Sequence, residues 1–167
     1  TPTVHASQQV PCTLALAKQI NDQKGQFLYK ALLDHGGSHV LLNRRAIPAN
    51  TETFQDKKPF QTAAGNLNTS EYVYLHDFIL PEFSFTRRVK TIKCYVFDNK
   101  EVPYDIILGR SFLNTCKIDV CSSDLTCRWY DRSIPFHTPD YFQDNQAIQR
   151  TLQIDPIRVD QLTTESH

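Results

Sequence analysis

The chain has 167 residues, enough for one domain of ordinary size with short extensions. Eighteen Lys and Arg balance eighteen Asp and Glu, so the net charge is zero and no overall field gathers nucleic acid or anionic lipid. Hydrophobic residues make up 40% of the chain, which is enough for a core and argues against disorder. No stretch approaches the roughly 20 apolar residues that a membrane-spanning helix needs.

The cysteines favour free thiols over disulfides or a metal site. There are five, an odd number, and none of them forms a C-x-x-C pair. Zinc would need closer pairs or histidines at matching spacing, so a metal site is not predicted. Free thiols are typical of a reducing compartment and point to an intracellular location. Methionine is absent, so we expect the chain to be a piece of a longer product.

The domain organisation follows from a change of sequence pattern near each end. Residues 1–11 are polar and unpatterned, which predicts an N-terminal linker. Residues 139–167 carry little apolar content and lose the pattern of strands, which predicts a C-terminal tail or linker. Residues 12–138 are therefore expected to form the folded domain.

Within that domain, short apolar runs alternate with turn-forming residues. The runs 13–20 and 26–33 predict a β-hairpin, because the segment between them is polar and ends in glycine. A second hairpin is predicted from 58–62 and 70–80, with its tip between them. The other strand candidates are 38–43, 88–97, 104–108, 117–120 and 125–130, and one short helix is expected at 111–115. Strands at this spacing predict an all-β sandwich or barrel.

The chemically informative segment is centred on Asp34. This carboxylate follows an apolar strand and precedes Gly36 and Gly37, which allow a sharp turn and close backbone contacts. A carboxylate carried towards the interior is costly unless it is paired, hydrogen-bonded or neutral. A second carboxylate sharing its proton would let one group activate water while the other protonates a carbonyl. No second D-x-G-G segment exists, so such a pair needs a second subunit; the alternative is that Asp34 only opens a tight turn.

A second segment further along the chain favours the catalytic interpretation of Asp34 over the turn interpretation. The apolar triplet Ile106–Leu108 is followed by Gly109, Arg110 and a short amphipathic stretch. Together with the Asp34 segment, it resembles the core motifs of the retropepsin-type aspartic proteases. Over roughly residues 12–137 the chain is similar to protease domains of gypsy-like long-terminal-repeat retrotransposon polyproteins. The segments that carry this wider similarity are Asp34–His39, Thr62–Gly65, Leu80–Phe83, Tyr104–Leu113 and Arg128–Tyr130.

The resemblance implies an all-β fold, a retropepsin-like closed β-barrel (the acid protease fold) with one short helix, which is homodimeric. It implies that Asp34 is the catalytic aspartate, contributed once by each subunit, and that no metal or cofactor takes part. The other implied site residues are the active-site loop His35, Gly36, Gly37 and Ser38, the substrate-binding flap tip Ala63, Ala64, Gly65 and Asn66, and the supporting Ile107, Leu108, Gly109 and Arg110.

Two positions depart from the family pattern. In relatives the arginine at position 110 pairs with an acid just after the motif, but Ser38 and His39 occupy that region here. Asp105, Asp119 or a carboxylate of the partner chain remain as alternatives for its partner. The family also has Thr or Ser at position 35, where this chain has His. Two protonated imidazoles at the two-fold axis would repel each other, so we expect activity to be more sensitive than the fold to this change.

The leading expectation is a homodimeric aspartic endopeptidase that cleaves its own polyprotein in the cytoplasm or in a virus-like particle. The alternatives are an inactive retropepsin-like domain used for dimerisation or peptide binding, and a β-barrel interaction module unrelated to proteases. No membrane partner is expected. Nucleic acid is not expected either, because the basic run 87–93 has the pattern of an exposed strand face.

Overall fold

The computed structural model describes residues 8–19, 26–49, 51–56 and 70–152. Within these residues the chain forms ten strands, two short α-helices and two 3-10 turns. The strands are β1 (Cys12–Gln19), β2 (Phe27–Leu33), β3 (Leu41–Asn43), β4 (Phe54–Gln55), β5 (Glu71–Ile79), β6 (Val89–Phe97), β7 (Ile106–Leu108), β8 (Ile118–Cys121), β9 (Thr126–Trp129) and β10 (Arg132–Pro135). The helices are α1 (Arg110–Cys116) and α2 (Asn145–Leu152), and the 3-10 turns are Arg44–Ala46 and Pro139–Gln143. None of the described helices is long and apolar enough to cross a membrane.

Six of the strands close into a barrel. Their order is β1-β2-β7-β3-β6-β5, and β5 also pairs with β1, so that the sheet returns to its first strand. The short β4 pairs with the first two residues of β5, and β8, β9 and β10 form a separate antiparallel sheet. Most barrel neighbours are antiparallel, but β2 pairs with β7 and β3 with β6 in parallel. The predicted all-β closed barrel is confirmed.

Alternation along the strands builds the interior of the barrel. On β2, Phe27, Tyr29, Ala31 and Leu33 are buried while the residues between them are more exposed. This period of two places alternate side chains on opposite faces of a strand. Leu28 and Leu32, on the outer face of β2, pack against a second apolar cluster outside the barrel. The first hairpin is therefore covered on both of its faces.

The sequence anticipated most of these elements. The predicted hairpin 13–20/26–33 is confirmed by β1 and β2, which pair antiparallel. The other predicted strands that fall on described residues correspond to β3, β5, β6, β7, β8 and β9, and the predicted helix corresponds to α1. The predicted hairpin arm 58–62 and its tip 63–66 lie outside the described residues. Ahead of them the structure has β4, which pairs with the first two residues of β5.

The segments that the sequence predicts as linker and tail are packed on the barrel where the structure describes them. Val10 and His137 exchange two backbone hydrogen bonds of 2.9 Å. Beyond β10, three buried residues of the C-terminal segment, Phe142, Ile148 and Leu152, cover the outside of β1. Helix α2 and strand β10 are not among the predicted elements. For α2 the reason is that three apolar residues in a polar stretch give too weak a pattern to predict a helix.

A partly buried polar cluster joins the C-terminal segment to the barrel. Glu82, after β5, accepts a hydrogen bond of 2.6 Å from the hydroxyl of Thr13 on β1. It also lies 2.9 Å from Nε2 of His137, whose ring stacks on Tyr141 at a centroid distance of 3.8 Å. Because Thr13 is fully buried, replacing Glu82 would leave its hydroxyl without this partner. The cluster therefore fixes three parts of the chain to one another.

If α2 is part of the folded domain, Ile148→Ala should lower the free energy of unfolding by about 2–4 kcal/mol, because Ile148 is only 5% exposed. The matched control is Gln146→Ala, which changes an exposed side chain of the same helix and should shift stability by less than about 0.5 kcal/mol. Urea denaturation measures both values. Equal, small effects would show that the helix does not contribute to the stability of the domain.

Candidate active site

Asp34 lies at the end of β2, on the rim of the barrel. Its backbone N–H donates to the carbonyl of Leu108 on β7, at 2.9 Å, which continues the pairing of the two strands. Its side chain is half-buried, and the backbone N–H of Gly36 donates to Oδ1 at 2.8 Å. The carboxylate thus stands at the edge of the core and faces the outside, held by the loop that follows it.

Gly109 lets this loop pack against the end of β7. A Cβ at position 109 would lie 2.4 Å from the carbonyl oxygen of His39 and 2.9 Å from that of Gly37. Both contacts are far closer than a methyl group tolerates, so the approach of the two backbones requires glycine. The start of α1 is bonded to the same loop: Arg110 N–H donates to Gly37 O at 2.8 Å, and Ser111 N–H donates to Ser38 O at 3.0 Å.

The side chain of Arg110 binds the loop itself. One terminal nitrogen donates to the carbonyl oxygen of His35 at 3.2 Å, and the other donates to the hydroxyl of Ser38 at 3.0 Å. Asp105, one of the predicted alternatives, instead accepts from Arg45 and from the backbone of Lys30. Within the described residues the partners of Arg110 are therefore two neutral oxygens. Both of these oxygens belong to the Asp34 loop.

An open cavity of about 600 Å³ adjoins the loop. One wall is formed by 33–36, and the opposite wall by Asp119, Val120 and Ser122 on and after β8, with Pro11 also lining it. Among the described strands, β8 is paired only with β9. His35 is exposed on the loop. The Asp34 side of the molecule therefore has room for a further group.

A comparison with protein-family models identifies the family to which the chain belongs. The family model described as retroviral aspartyl protease matches residues 7–120, which include the loop, β7 and α1. The chain belongs to the retroviral aspartyl protease family. Nothing among the curated proteins matches it.

Two solved structures are similar to the chain. The retroviral protease-like domain of Ddi1 from Leishmania major is 12% identical, with a TM-score of 0.46, and the match covers 80% of this chain and 96% of that domain. A protein of unknown function from Legionella pneumophila is 20% identical, with a TM-score of 0.36 over 64% of this chain and 86% of that one.

In this retroviral-protease-type chain, the two predicted motifs come together. The structure places Asp34, His35, Gly36, Gly37 and Ser38 against Ile107, Leu108, Gly109 and Arg110. The predicted flap tip, Ala63, Ala64, Gly65 and Asn66, lies outside the described residues. The roles assigned to these residues stay predictions.

A polar and aromatic cluster that the sequence did not reveal lies beside the loop. The ring of His39 contacts Tyr95 edge-on, at a centroid distance of 5.2 Å. The hydroxyl of Tyr95 donates to Asp56, and Lys93 Nζ lies 3.2 Å from the same carboxylate. The hydrogen bond from Tyr95, helped by Lys93, lowers the pKa of Asp56. Only the cross-strand register brings these residues together, so no local pattern could have identified them.

Four of the five cysteines of this protease-family chain are unsuited to act as nucleophiles. Burial raises the pKa of the Cys12 thiol to about 12, and the nearby Glu82 carboxylate adds to the shift. Burial likewise raises the pKa of Cys127 to about 12 and raises those of Cys94 and Cys116. A thiol that stays protonated near neutral pH is a poor nucleophile. In the described part of the chain, no three His, Cys, Asp or Glu residues are grouped as a metal site would require.

The contact at Gly109 predicts a sharp effect of one methyl group. We expect Gly109→Ala to lower the free energy of unfolding by about 2 kcal/mol or more, because the methyl group collides with backbone atoms that cannot rotate away. Ser111→Ala, an exposed change two residues later, serves as the control and should be nearly neutral. Urea denaturation of both variants checks this, and a Gly109→Ala protein as stable as the control would contradict the contact.

Proposed function

We propose that the protein is an aspartic endopeptidase that acts as a homodimer, with one Asp34 from each subunit. The observation that carries the proposal is the Asp34 carboxylate, held at 2.8 Å by the Gly36 N–H on an open cavity, in a chain of the retroviral aspartyl protease family. The chain has a single loop of this kind. A second copy related by a two-fold axis would supply the second carboxylate.

The proposed reaction is hydrolysis of a peptide bond by a water molecule held between the two carboxylates. Like charges side by side cannot both ionise easily, so the pair shares one proton. The ionised carboxylate takes a proton from the water as its oxygen attacks the carbonyl carbon, and the protonated one gives its proton to the carbonyl oxygen. The first carboxyl group then gives that proton to the departing nitrogen as the C–N bond breaks, and the second takes a proton from one hydroxyl of the gem-diol intermediate, which restores the shared proton. Arg110 contributes by fixing the loop through His35 O and Ser38.

The proposed substrate is an extended segment of the polyprotein to which the chain belongs, in a gypsy-like long-terminal-repeat element. An extended peptide would bind by adding a strand to the protein, so that main-chain hydrogen bonds give affinity and alternate side chains give specificity. We place this processing inside the cell, in the cytoplasm or in a virus-like particle. Reduced cysteines without disulfides are compatible with that location.

A second candidate function is an inactive member of the family that dimerises or binds peptides. The observation that favours it is His35, which is exposed and lines the same cavity as Asp34 where the family carries Thr or Ser. Two imidazoles facing each other across the axis would repel when protonated. The third expectation, an interaction module unrelated to proteases, is wrong, because the family match covers most of the domain.

Asp34→Asn should abolish pepstatin-sensitive cleavage of a mixed peptide substrate between pH 4 and 7, while the circular dichroism spectrum stays unchanged. The matched control is Asp124→Asn, which alters an exposed carboxylate in a turn and should retain the wild-type rate. If subunits exchange at random, a tenfold excess of Asp34→Asn chains should reduce wild-type activity roughly tenfold, because most wild-type chains then pair with an inactive one. Wild-type activity in Asp34→Asn would refute the assignment of Asp34, and insensitivity to the excess would refute the shared site.

If His35 limits catalysis, His35→Thr should raise the rate of cleavage, because a hydroxyl avoids the repulsion between two charged rings. The gain should be largest in mildly acidic solution, where imidazole is protonated, and should shrink towards neutral pH. His39→Thr is the control, since His39 contacts Tyr95 rather than the cavity. A rate that is unchanged or lower at every pH would show that the loop has adapted to histidine.

A further inference from the structure

An exposed aromatic ring marks one end of the molecule, at the turn between β9 and β10. Tyr130 is 65% exposed and adopts a positive φ of 56°, which turns the chain sharply after β9. The guanidinium carbon of Arg87, just before β6, lies over this ring at 4.0 Å from its centroid. This contact brings the start of β6 next to the β9–β10 turn and covers one face of the ring.

Four further exposed cations lie within three residues of Arg87 or Tyr130 along the chain. On β6, Val89 packs on the core, so the exposed Arg88 and Lys90 on either side of it stand on the outer face. On β9, Trp129 is buried, so the exposed Arg128 before it stands on the opposite face of the strand. The exposed Arg132 is the register partner of Trp129 on β10, and Tyr130 lies in the turn between them. The basic surface, as we name it, consists of Arg87, Arg88, Lys90, Arg128, Arg132 and Tyr130.

The cations of the basic surface lack the ion pairs that hold two other lysines of the described chain. Lys93, further along β6, is held by Asp56, and Lys18 by Asp77. No ion pair within the described residues involves any of the five cations. The acids closest in the chain or in strand register are Asp131, in the same turn, and Asp119, opposite Arg128 on β8. The surface therefore keeps an excess of positive charge although the whole chain is neutral.

We propose that the basic surface binds single-stranded nucleic acid, with a base stacked on the open face of Tyr130 and phosphates held by the surrounding cations. Aromatic rings in a positively charged groove are the common means of binding single strands without sequence preference, because every base has a face that stacks. Arg87 is already positioned under the ring and would complete the stack.

The chemistry of this surface favours nucleic acid over a lipid membrane. Membrane-binding surfaces combine cations with several exposed apolar side chains that enter the bilayer. Among the described residues, the large apolar side chains that are exposed are Tyr130 and Leu125, and Leu125 lies at the opposite end of β9. A single ring flanked by arginines suits one stacked base and its neighbouring phosphates.

From the sequence alone, nucleic acid is not expected as a partner, because the chain has no net charge and the basic run 87–93 has the pattern of an exposed strand face. The structure removes Lys93 from that run, since Asp56 pairs with it, and adds a basic segment from β9 and β10. None of the five cations lines the cavity at Asp34, so the proposal goes beyond the protease function and does not depend on it.

The test is fluorescence anisotropy of the full chain with a labelled 20-nucleotide single-stranded RNA of mixed sequence, in 50 to 200 mM salt. We expect binding that weakens steeply with salt, since the cations displace counterions from the phosphates. Arg128→Gln should weaken binding and lower the slope of log K against log salt by about 0.7, the amount for one lost phosphate contact. Lys100→Gln, which removes an exposed cation elsewhere, should change neither value.

Variants of Tyr130 separate stacking from charge. Tyr130→Asn keeps a residue that tolerates a positive φ but removes the ring, so binding should weaken about fivefold or more with the salt slope unchanged. Tyr130→Phe keeps the ring and should bind as the wild type does. A single-stranded DNA of the same sequence that binds comparably would support recognition by stacking and phosphate contacts.

Three outcomes would overturn the proposal. The first is no binding in 50 mM salt, and the second is an equal loss of binding in Arg128→Gln and Lys100→Gln. The third is preferential binding of phosphatidylserine vesicles over the RNA, which would identify the surface as a membrane contact. Because the assay does not involve cleavage, an inactive protease leaves its result unaffected.

Discussion

The close approach of two backbones at Gly109 is the constraint on which the candidate site depends. It lets the Asp34 loop lie directly on the end of β7, so that loop carbonyls reach the first amides of α1. The parallel pairing of β2 with β7 brings Asp34 to the same level as this contact. A loop held from both sides has little conformational freedom left, and such preorganisation is what the proposed catalysis by positioned carboxylates would require.

The ends of the described chain also support this rim of the barrel. Pro11 accepts a hydrogen bond of 2.8 Å from the N–H of Leu33, next to Asp34, and lines the same cavity. Its neighbour Val10 is paired with His137, which is in turn bound to Glu82. The C-terminal segment thus bears on the position of Pro11, although it lies outside the region that matches the family model. The packing of the C-terminal segment is therefore linked to the cavity through His137, Val10 and Pro11.

Sequence reasoning predicted the elements whose signal is local and missed those that depend on long-range pairing. The β1–β2 hairpin was predictable because two apolar runs flank a turn, and the Asp34 loop because its residue types are chemically distinctive. Helix α2 has only Ile148 and Leu152 as a buried stripe, four residues apart, in a polar stretch. The partners of Arg110 were not predictable, because its side chain reaches a backbone carbonyl, and every residue type presents one.

The residues that follow the family match add further structure to the barrel. Strands β9 and β10 lie beyond residue 120, and they carry both the ring of Tyr130 and the buried Trp129 that anchors the turn on the core. Burial of the indole fixes the direction of β9, and alternation along the strand places Arg128 on the outer face. Tyr130 follows directly, where its positive φ turns the chain. The apolar packing that attaches the added sheet to the barrel is therefore also what presents a cation and an aromatic ring next to Arg87.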